Sequence, residues 1–290
     1  MDSLKVYIVL ILVLLPFRIF AQDAYYLFDK QGKKISYSKL IKALEDADVI
    51  LFGEIHDNAL CHWLELQILK SLEAGKNGSL IVGGEFFEAD DQVIIDEYLK
   101  GYISLNNFKE EVKTWNNFDQ AYLPVIQFVK ERQLPFIATN IPRRYASLVA
   151  KKGLDTLALL DPEVFKWMVP LPFEIDRNLP GYKPLSGGTM HGHGHGFSLP
   201  FMLEAQAIKD ATMAHFISIK GAGKQFFHIN GSYHSDGFEG IYWYLKKQTP
   251  SLKVITISSK EQKDPAVLDK EYINSADYII CFPEDMIRTK

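Results

Sequence analysis

The chain has 290 residues, 47% of them hydrophobic and 23% charged, with a formal net charge of −4 at pH 7. This composition can fill a large core, as an α/β domain of this length requires. Neither a block of Lys and Arg nor a basic stripe with interleaved aromatic residues is present, so the sequence gives no support for nucleic acid as a partner.

The N-terminus has the layout of a secretory signal peptide. A lysine precedes an apolar run over residues 6–15, and Ala21 stands directly before a polar segment. The run is too short to cross a bilayer as a stable helix, and Pro16 ends it, which disfavours an uncleaved membrane anchor. We therefore predict a signal peptide over 1–21 and an exported domain over 22–290 without an integral membrane segment, located in the periplasm, in the medium or at the cell surface.

Short apolar runs that end in turns alternate with helical patterns along the rest of the chain. Leu60, Leu64, Ile68 and Leu72 recur at every fourth position after the first run, with Trp63 beside them, which predicts a helix packed on a sheet. This alternation predicts an α/β fold with a largely parallel central sheet flanked by helices. The predicted strands are 49–52, 80–82, 135–138, 225–229, 254–257 and 278–282.

Helix boundaries are marked by capping residues and breakers. Asp57 or Asn58 can cap the first predicted helix, and Gly153 ends the helix that follows the third strand. Two additional helices are predicted over 119–132 and 198–219. The segment 170–200 between them is rich in Pro and Gly and shows no period, which is typical of a long surface excursion from the core.

Cys61 and Cys281 are the only cysteines of the chain. They fall in a predicted helix and a predicted buried strand, and their spacing does not match a structural zinc site. We predict two buried thiols, although an exported protein offers the alternative of a disulfide between them.

The predicted strands end in polar turns that share a pattern. Gly53 to His56 and Gly231 to His234 are both Gly-x-x-His turns, and Glu85 follows another strand. The carboxyl ends of parallel strands meet at one edge of a sheet, so we expect His56, Glu85 and His234 in one pocket, with Glu54 at its rim. Imidazole and carboxylate are common ligands of manganese, zinc or cobalt, and a carboxylate that does not bind metal can act as a general base.

With these turns the sequence resembles the ChaN-like haem-binding proteins of bacteria, part of a larger group that includes the Tiki proteases and the erythromycin esterases. The resemblance runs through nearly the whole chain after residue 21. The stretches that carry it are 50–58 (ILFGEIHDN), 83–88 (GGEFFE) with Asp91 and Gln92, 115–124, 136–144 (FIATNIPRR), 205–214 (AQAIKDATMA) and 230–240.

The resemblance implies a function in haem or iron uptake. Haem would be captured outside the cytoplasm and held at the interface of a homodimer, through a Tyr ligand and a His of the partner chain. The related hydrolases imply an alternative, a metal-dependent peptidase or esterase in which His56, Glu85 and His234 form the active site, with Glu54 also present. A binding scaffold with a vestigial site is the third hypothesis.

Candidate haem contacts lie in or beside the matching stretches. Tyr182, Tyr233 and Tyr242 are candidates for the Tyr ligand, because a phenolate favours ferric haem. Arg143 and Arg144 can meet a haem propionate or a substrate carboxylate. The alternative is that each is an ordinary core or surface residue.

Alternating His and Gly occupy residues 190–196 within the Pro- and Gly-rich excursion. His191, His193 and His195 stand on a backbone with little conformational preference, which suits contact with a metal or with haem iron. A mobile polar loop with incidental histidines is the alternative.

Other polar residues are interpreted as structural. His62 and His215 fall in predicted helices and His228 in a predicted strand, where a hydrogen-bonded structural imidazole is the default. Gln206 and Asp210 lie one helical turn from each other, and we expect them to orient the side chains that form the site.

Overall fold

The computed structural model describes residues 23–76, 79–187 and 200–289. The predicted signal peptide over 1–21 and the three histidines of 190–196 lie outside these ranges. Within them, no helix is both long enough and apolar enough to traverse a lipid bilayer.

A sheet of eight strands forms the centre of the described chain, with the strand order β2-β1-β8-β7-β3-β6-β4-β5. Strands β3 to β8 are mutually parallel wherever they pair, and β1 runs antiparallel to both β8 and β2. The predicted α/β class and largely parallel sheet are confirmed. The strands are β1 Tyr26–Asp29, β2 Lys34–Ile35, β3 Val49–Glu54, β4 Leu80–Glu88, β5 Phe136–Asn140, β6 Gln225–Gly231, β7 Val254–Gln262 and β8 Tyr278–Pro283.

Helices cover both faces of this sheet. They are α1 Tyr37–Leu44, α2 Ala59–Lys76, α3 Gln92–Leu99, α4 Leu105–Glu111, α5 Phe118–Ala121, α6 Leu123–Glu131, α7 Arg143–Lys152, α8 Met202–Lys220 and α9 Ile241–Gln248. The prediction of a single helix over 119–132 is wrong in one respect, because the segment forms two helices that are divided at Tyr122. Pro124 has no N–H to donate to the preceding turn and stands in the first turn of α6, which explains the division.

The central strand β3 shows how the sheet separates two cores. Ile50 and Phe52 pack into the core beneath α1 to α6, whereas Val49 and Leu51 pack into the core beneath α7, α8 and α9. Successive side chains of a strand point to opposite faces, and all six residues of β3 are buried. A strand buried on both faces therefore has the continuous apolar run seen in the sequence.

Helix α2 packs on the sheet through the predicted stripe, since Leu64, Ile68 and Leu72 are buried. Trp63 does not join them and is 51% exposed. It precedes Leu64 by one position and so points about 100° around the helix from the stripe. Asn58 caps the helix, because its Oδ1 accepts a hydrogen bond of 2.9 Å from the backbone N–H of Cys61.

The two cysteines are free and buried, as predicted. The Sγ atom of Cys61 donates to Ser259 Oγ at 3.2 Å, and that of Cys281 donates to Gln262 Oε1 at 3.4 Å. Each thiol thus has its own hydrogen-bond partner in the core.

The described part of the Pro- and Gly-rich excursion contains no strand and forms a helical turn at Lys183–Gly187. It is anchored to α8, because Tyr182 and Leu185 pack against Leu203 and Ala207. This contact holds the excursion over the carboxyl end of β6, beside the second Gly-x-x-His turn, where Tyr233 donates to the Gly181 carbonyl.

Removing the Asn58 side chain should destabilise the protein. Asn58 is fully buried, and its Nδ2 also donates to Glu261 Oε1 at 2.7 Å, so Asn58→Ala removes a helix cap and one of the two donors to that oxygen, the other being Arg288 Nη1. We expect a loss of about 1 to 3 kcal/mol in the free energy of unfolding, measured by urea denaturation.

Asp57→Ala is the matched control. Its carboxylate is exposed and pairs with exposed Arg288, so the change should cost less than about 1 kcal/mol. Equal losses in the two variants would contradict the capping role of Asn58.

Candidate functional site

The site lies at the carboxyl edge of the parallel strands, where β3, β6 and β4 are neighbours. Glu54 is the last residue of β3, and His234 follows the end of β6 by three residues. Glu85 differs from the sequence prediction, which placed it after a strand. It lies within β4, where the pairing with β5 shifts register between Gly84 and Glu88, and this irregularity lets the buried Glu85 face β6.

Glu54 is a buried carboxylate with three donors or cations around it. Its Oε1 accepts hydrogen bonds from Tyr122 Oη at 2.6 Å and from His56 Nδ1 at 2.8 Å, and its Oε2 lies 3.3 Å from His62 Nδ1. Burial opposes ionisation of Glu54, but the neighbouring imidazoles of His62 and His56 outweigh it and hold the pKa of Glu54 well below its usual value. Glu54 is therefore ionised and orients the His56 ring.

His56 presents its ring at the rim, and 48% of the side chain is exposed. Trp115 meets it edge-on with a centroid distance of 4.9 Å, and Asn117 Nδ2 donates to its backbone carbonyl at 2.6 Å. Burial lowers the pKa of His56, but the hydrogen bond and charge of Glu54, followed by the charge of Glu85, raise it above the usual value. The ring is fixed with Nδ1 toward Glu54 and Nε2 toward the rim.

His234 is buried between two carboxylates. Its Nε2 lies 3.0 Å from Glu85 Oε1, its Nδ1 contacts Asp210 Oδ1, and Tyr182 Oη donates to Asp210 Oδ2 at 2.6 Å. Gln206 Nε2 lies 2.9 Å from the same Nδ1 atom. Burial lowers the pKa of His234, but Glu85 and Asp210 outweigh it and raise the pKa to about 10. The expectation that Gln206 and Asp210 orient the site is met by these contacts.

Gly231 is the point where the two histidine turns meet. Its N–H donates to Glu85 Oε2 at 2.8 Å, and a Cβ at this position would lie 2.6 Å from His56 Nε2 and 3.6 Å from Glu85 Oε2. Only glycine allows this approach of the His56 ring. The structure thus brings His56, Glu85 and His234 together, with Glu54 behind His56. The binding of a metal ion by these three residues stays a prediction. Both ring nitrogens of His234 already contact a carboxylate, Glu85 at Nε2 and Asp210 at Nδ1.

A cavity of about 130 Å³ opens beside Glu85. Its lining combines positive side chains with apolar surface. The lining residues are Glu85, Phe86, Glu88, Lys113, Trp115, Asn140, Ile141, Arg143 and Lys209.

The two predicted arginines behave differently at this cavity. Arg143 lines it with a side chain that is 70% exposed, whereas Arg144 donates to Asp90 Oδ2 at 2.6 Å and lies over the Tyr145 ring. Arg143 is therefore the more exposed of the two arginines at the cavity, and its partner there is the buried Glu88, whose Oε1 lies 3.8 Å from Arg143 Nε.

The three candidate tyrosines also lie in different environments. Tyr182 is only 2% exposed and is committed to Asp210, and Tyr242 is half-buried with its ring edge-on to Phe238. Tyr233 lies on the Gly231 to His234 turn, is 45% exposed, and donates its hydroxyl hydrogen bond to the Gly181 carbonyl. Of these three, Tyr233 is the one that presents its ring to solvent at the rim.

Sequence reasoning missed several of the contacts that organise the site. Tyr122 holds Glu54 and Asn117 holds the His56 backbone. Both lie in the matching stretch 115–124, but Tyr122 has the pattern of a core residue in the predicted helix 119–132 and Asn117 precedes that helix, so the local pattern does not indicate these roles. Glu65 carried a usable signal, because it is a charged residue at a position of α2 that faces the core, where it is fully buried. His62 faces Glu54 and Glu65 and is more than a satisfied core imidazole.

His228 does fulfil the structural expectation. It is fully buried, its Nε2 lies 2.8 Å from Thr139 Oγ1, and its Nδ1 lies 3.0 Å from Asn230 Oδ1. Burial lowers its pKa to about 4, so the ring is neutral. His215 in α8 also has a pKa lowered by burial.

The fold and the rim define a layered α/β protein with a His and Glu site at the carboxyl edge of its parallel strands. A family model described as haem-binding uptake, Tiki superfamily, ChaN matches residues 40–245, which is more than half of the chain. The chain belongs to this family. No curated protein matches it.

Solved structures similar to this chain include a ChaN protein of Campylobacter jejuni described with cofacial haem binding. It has 19% identity and a TM-score of 0.60, over 92% of this chain and 97% of that chain. A Bacillus cereus protein has 9% identity and a TM-score of 0.52, over 89% and 95% of the two chains. An erythromycin esterase variant in its open conformation has 12% identity and a TM-score of 0.47, over 82% and 77%. At these identities the first two similarities show the fold alone.

Stability should depend on the protonation of His234. Its pKa of about 10 lies above the unfolded value of about 6.5, so its ion pairs stabilise the fold fully below about pH 6.5 and are lost as the pH rises to about 10. The pKa of Glu85 is lowered, so the contribution of its charge to the stability of the fold is lost only in acid. We expect the stability difference between the wild type and His234→Gln to shrink between about pH 7.5 and about 10 in urea denaturation.

His215→Gln is the control for this titration. His215 faces no carboxylate that raises its pKa, so the difference between this variant and the wild type should stay constant over the same pH range. A constant difference for His234→Gln as well would show that His234 is not held as a cation.

Proposed function

We propose that this chain binds haem as an exported homodimer and acts in haem or iron uptake. The observation that carries the proposal is the position of Tyr233, a half-exposed tyrosine on the same turn as His234, in a chain of the ChaN family. A phenolate is a strong ligand of ferric iron, and haem bound at this rim would supply that iron.

The residues around the rim fit haem in charge and polarity. Lys113, Arg143 and Lys209 line the cavity and can pair with propionates. A propionate would there compete with Glu88 of the same lining, which lies 3.1 Å from Lys113 and 3.8 Å from Arg143. Trp115 and Phe86 in the same lining supply the apolar aromatic surface on which a porphyrin packs.

Ligation by Tyr233 requires loss of its phenolic proton. Burial, followed by the charges of Asp210 and Glu239, raises the pKa of Tyr233 to about 12. Ferric haem would therefore bind with release of a proton, and its affinity should increase with pH.

The half exposure of Tyr233 supports the proposal of a homodimer. A tyrosine at an open rim covers one side of a porphyrin, and a second copy of the chain can cover the other side and supply an imidazole. His191, His193 and His195 are candidates for that imidazole, and Tyr182 and Tyr242 are less suited to ligation because of their burial and contacts.

Titration of the purified protein with haemin tests the proposal. We expect a saturable Soret change with the high-spin spectrum of a Tyr-ligated ferric haem, together with a doubling of mass on size-exclusion chromatography. Tyr233→Phe should change that spectrum and weaken binding at least about tenfold, since it removes the ligand oxygen.

Tyr242→Phe is the matched control, because it removes a hydroxyl from a half-buried tyrosine whose ring packs on Phe238. It should leave the spectrum and the affinity unchanged. The haem proposal fails if the wild type shows no saturable Soret change, and the assignment to Tyr233 fails if both variants bind like the wild type.

Hydrolysis of an ester or a peptide is the second candidate function, favoured by the Glu54 and His56 pair. Glu54 accepts from Nδ1 of His56, which leaves Nε2 toward the rim as a general base. The buried pair of Glu85 and His234 faces the same point and can stabilise charge there.

Model esters and peptides, offered with and without Mn²⁺, Zn²⁺ or Co²⁺, test this candidate. His56→Gln should lower the rate by about 100-fold or more, because it removes the base. Wild-type activity should rise with pH as His56 loses its proton, since its pKa is raised by Glu54. The candidate is excluded if the wild type cleaves none of these substrates, or if His56→Gln cleaves them at the wild-type rate.

A further inference from the structure

We propose that Glu54, His62 and Glu65 form a buried binding site for a divalent transition-metal ion, on the inner side of α2 behind the rim. This site shares Glu54 with the rim, where Glu54 Oε1 accepts from His56 Nδ1, but it uses the other carboxylate oxygen, Oε2, and none of His56, Glu85 and His234.

The three side chains have the spacing of ligands around one ion. His62 Nδ1 lies 3.3 Å from Glu54 Oε2 and 3.7 Å from Glu65 Oε2, and one ligand atom from each residue falls within 4.8 Å of the others. An ion with bonds of about 2.0 to 2.2 Å and tetrahedral angles holds its ligand atoms about 3.3 to 3.6 Å from each other. The spacing therefore needs little adjustment to accept an ion.

The ligand atoms are buried without hydrogen-bond partners in the described part of the chain. They are Glu54 Oε2, His62 Nδ1 and both carboxylate oxygens of Glu65. The three side chains are only 1%, 3% and 0% exposed, so solvent does not supply the missing partners. Buried polar atoms are nearly always satisfied, and four such atoms directed at one another indicate a shared cation between them.

The tautomer of His62 strengthens this inference. His62 Nε2 lies 3.0 Å from the backbone carbonyl of His56, and a carbonyl oxygen can only accept, so Nε2 carries the proton. Nδ1 faces two carboxylates and therefore needs a positive charge beside them. Without a metal that charge is a second proton, which makes His62 the cation that lowers the pKa of Glu54, and a divalent ion at the Nδ1 lone pair would take the place of this proton. A histidine that donates through one nitrogen to a carbonyl and binds through the other is the common arrangement at protein metal sites.

The composition of the site defines the class of ion. Two carboxylates and one imidazole suit Mn²⁺, Fe²⁺, Co²⁺ or Zn²⁺, and their two negative charges are neutralised by one divalent ion. Protons shared among Glu54, Glu65 and His62 are the competing way to neutralise the same cluster, and the experiment distinguishes the two.

Metal content is measured on haem-free protein that carries Ala in place of His191, His193 and His195, which removes the competing imidazoles of that segment. The protein is stripped with a chelator and reloaded in separate samples with Mn²⁺, Co²⁺, Zn²⁺ or, under anaerobic conditions, Fe²⁺. After desalting, the retained metal is measured by inductively coupled plasma mass spectrometry. We expect about one equivalent of at least one ion, and a higher unfolding temperature in its presence.

Glu65→Gln and His62→Gln should each reduce the retained ion at least about tenfold, because each removes one ligand. Glu73→Gln is the matched control on α2, where the carboxylate lies 3.9 Å from Arg132, and Glu85→Gln tests the rim. Both should retain the ion. Retention of the full equivalent by Glu65→Gln, loss of it in Glu85→Gln, or no retained ion of the four tested would overturn the proposal.

Anomalous diffraction from crystals of the loaded protein provides a readout that does not depend on how the variants fold. The expected result is a peak at about 2.0 to 2.3 Å from Glu54 Oε2, His62 Nδ1 and a Glu65 oxygen. A peak at the rim alone, or no ordered peak, would show that the buried cluster holds protons instead.

Discussion

The carboxylates of Glu54, Glu65, Glu85 and Asp210 are buried at or beneath the carboxyl edge of the sheet. A buried carboxylate is costly unless a cation or several donors surround it, so this edge can fold only where such partners arrive together. Imidazoles supply the compensation, from His56 and His62 around the first two and from His234 between the last two. Charge balance thereby links β3, α2, β4, α8 and the turn after β6 into one unit.

Several local features contribute to this charge balance. The register shift in β4 lets Glu85 face β6, and Gly231 gives up a side chain so that the His56 ring can approach. Tyr122 stands at the division between α5 and α6, from which its hydroxyl reaches Glu54. The long excursion brings Tyr182 to Asp210 and so completes the surroundings of His234. The helices and loops at this edge thus hold charged groups as well as apolar surface.

The sequence predicts the parallel strands and the rim because both depend on local patterns. Buried strands are continuous apolar runs, and a Gly-x-x-His turn after such a run places its imidazole at the edge whatever the rest of the chain does. β1 and β2 escaped prediction because strands of four and two residues show no period, and the pairing of β1 with β8 is decided by a distant segment. The role of Tyr122 escaped because its partner, Glu54, is reached only through the folded arrangement.

The position of β3 in the sheet also governs when the molecule can assemble. Its two neighbours, β6 and β7, begin at Gln225 and Val254, both beyond the first three quarters of the chain. Until those segments are available, a strand that opens with four apolar residues has both edges unpaired. Such a state is prone to aggregation and slow to resolve, because its contacts are distant in sequence. An incompletely synthesised chain therefore has neither a sheet centre nor a rim. The rim therefore forms only after β6 and β7 have paired with β3.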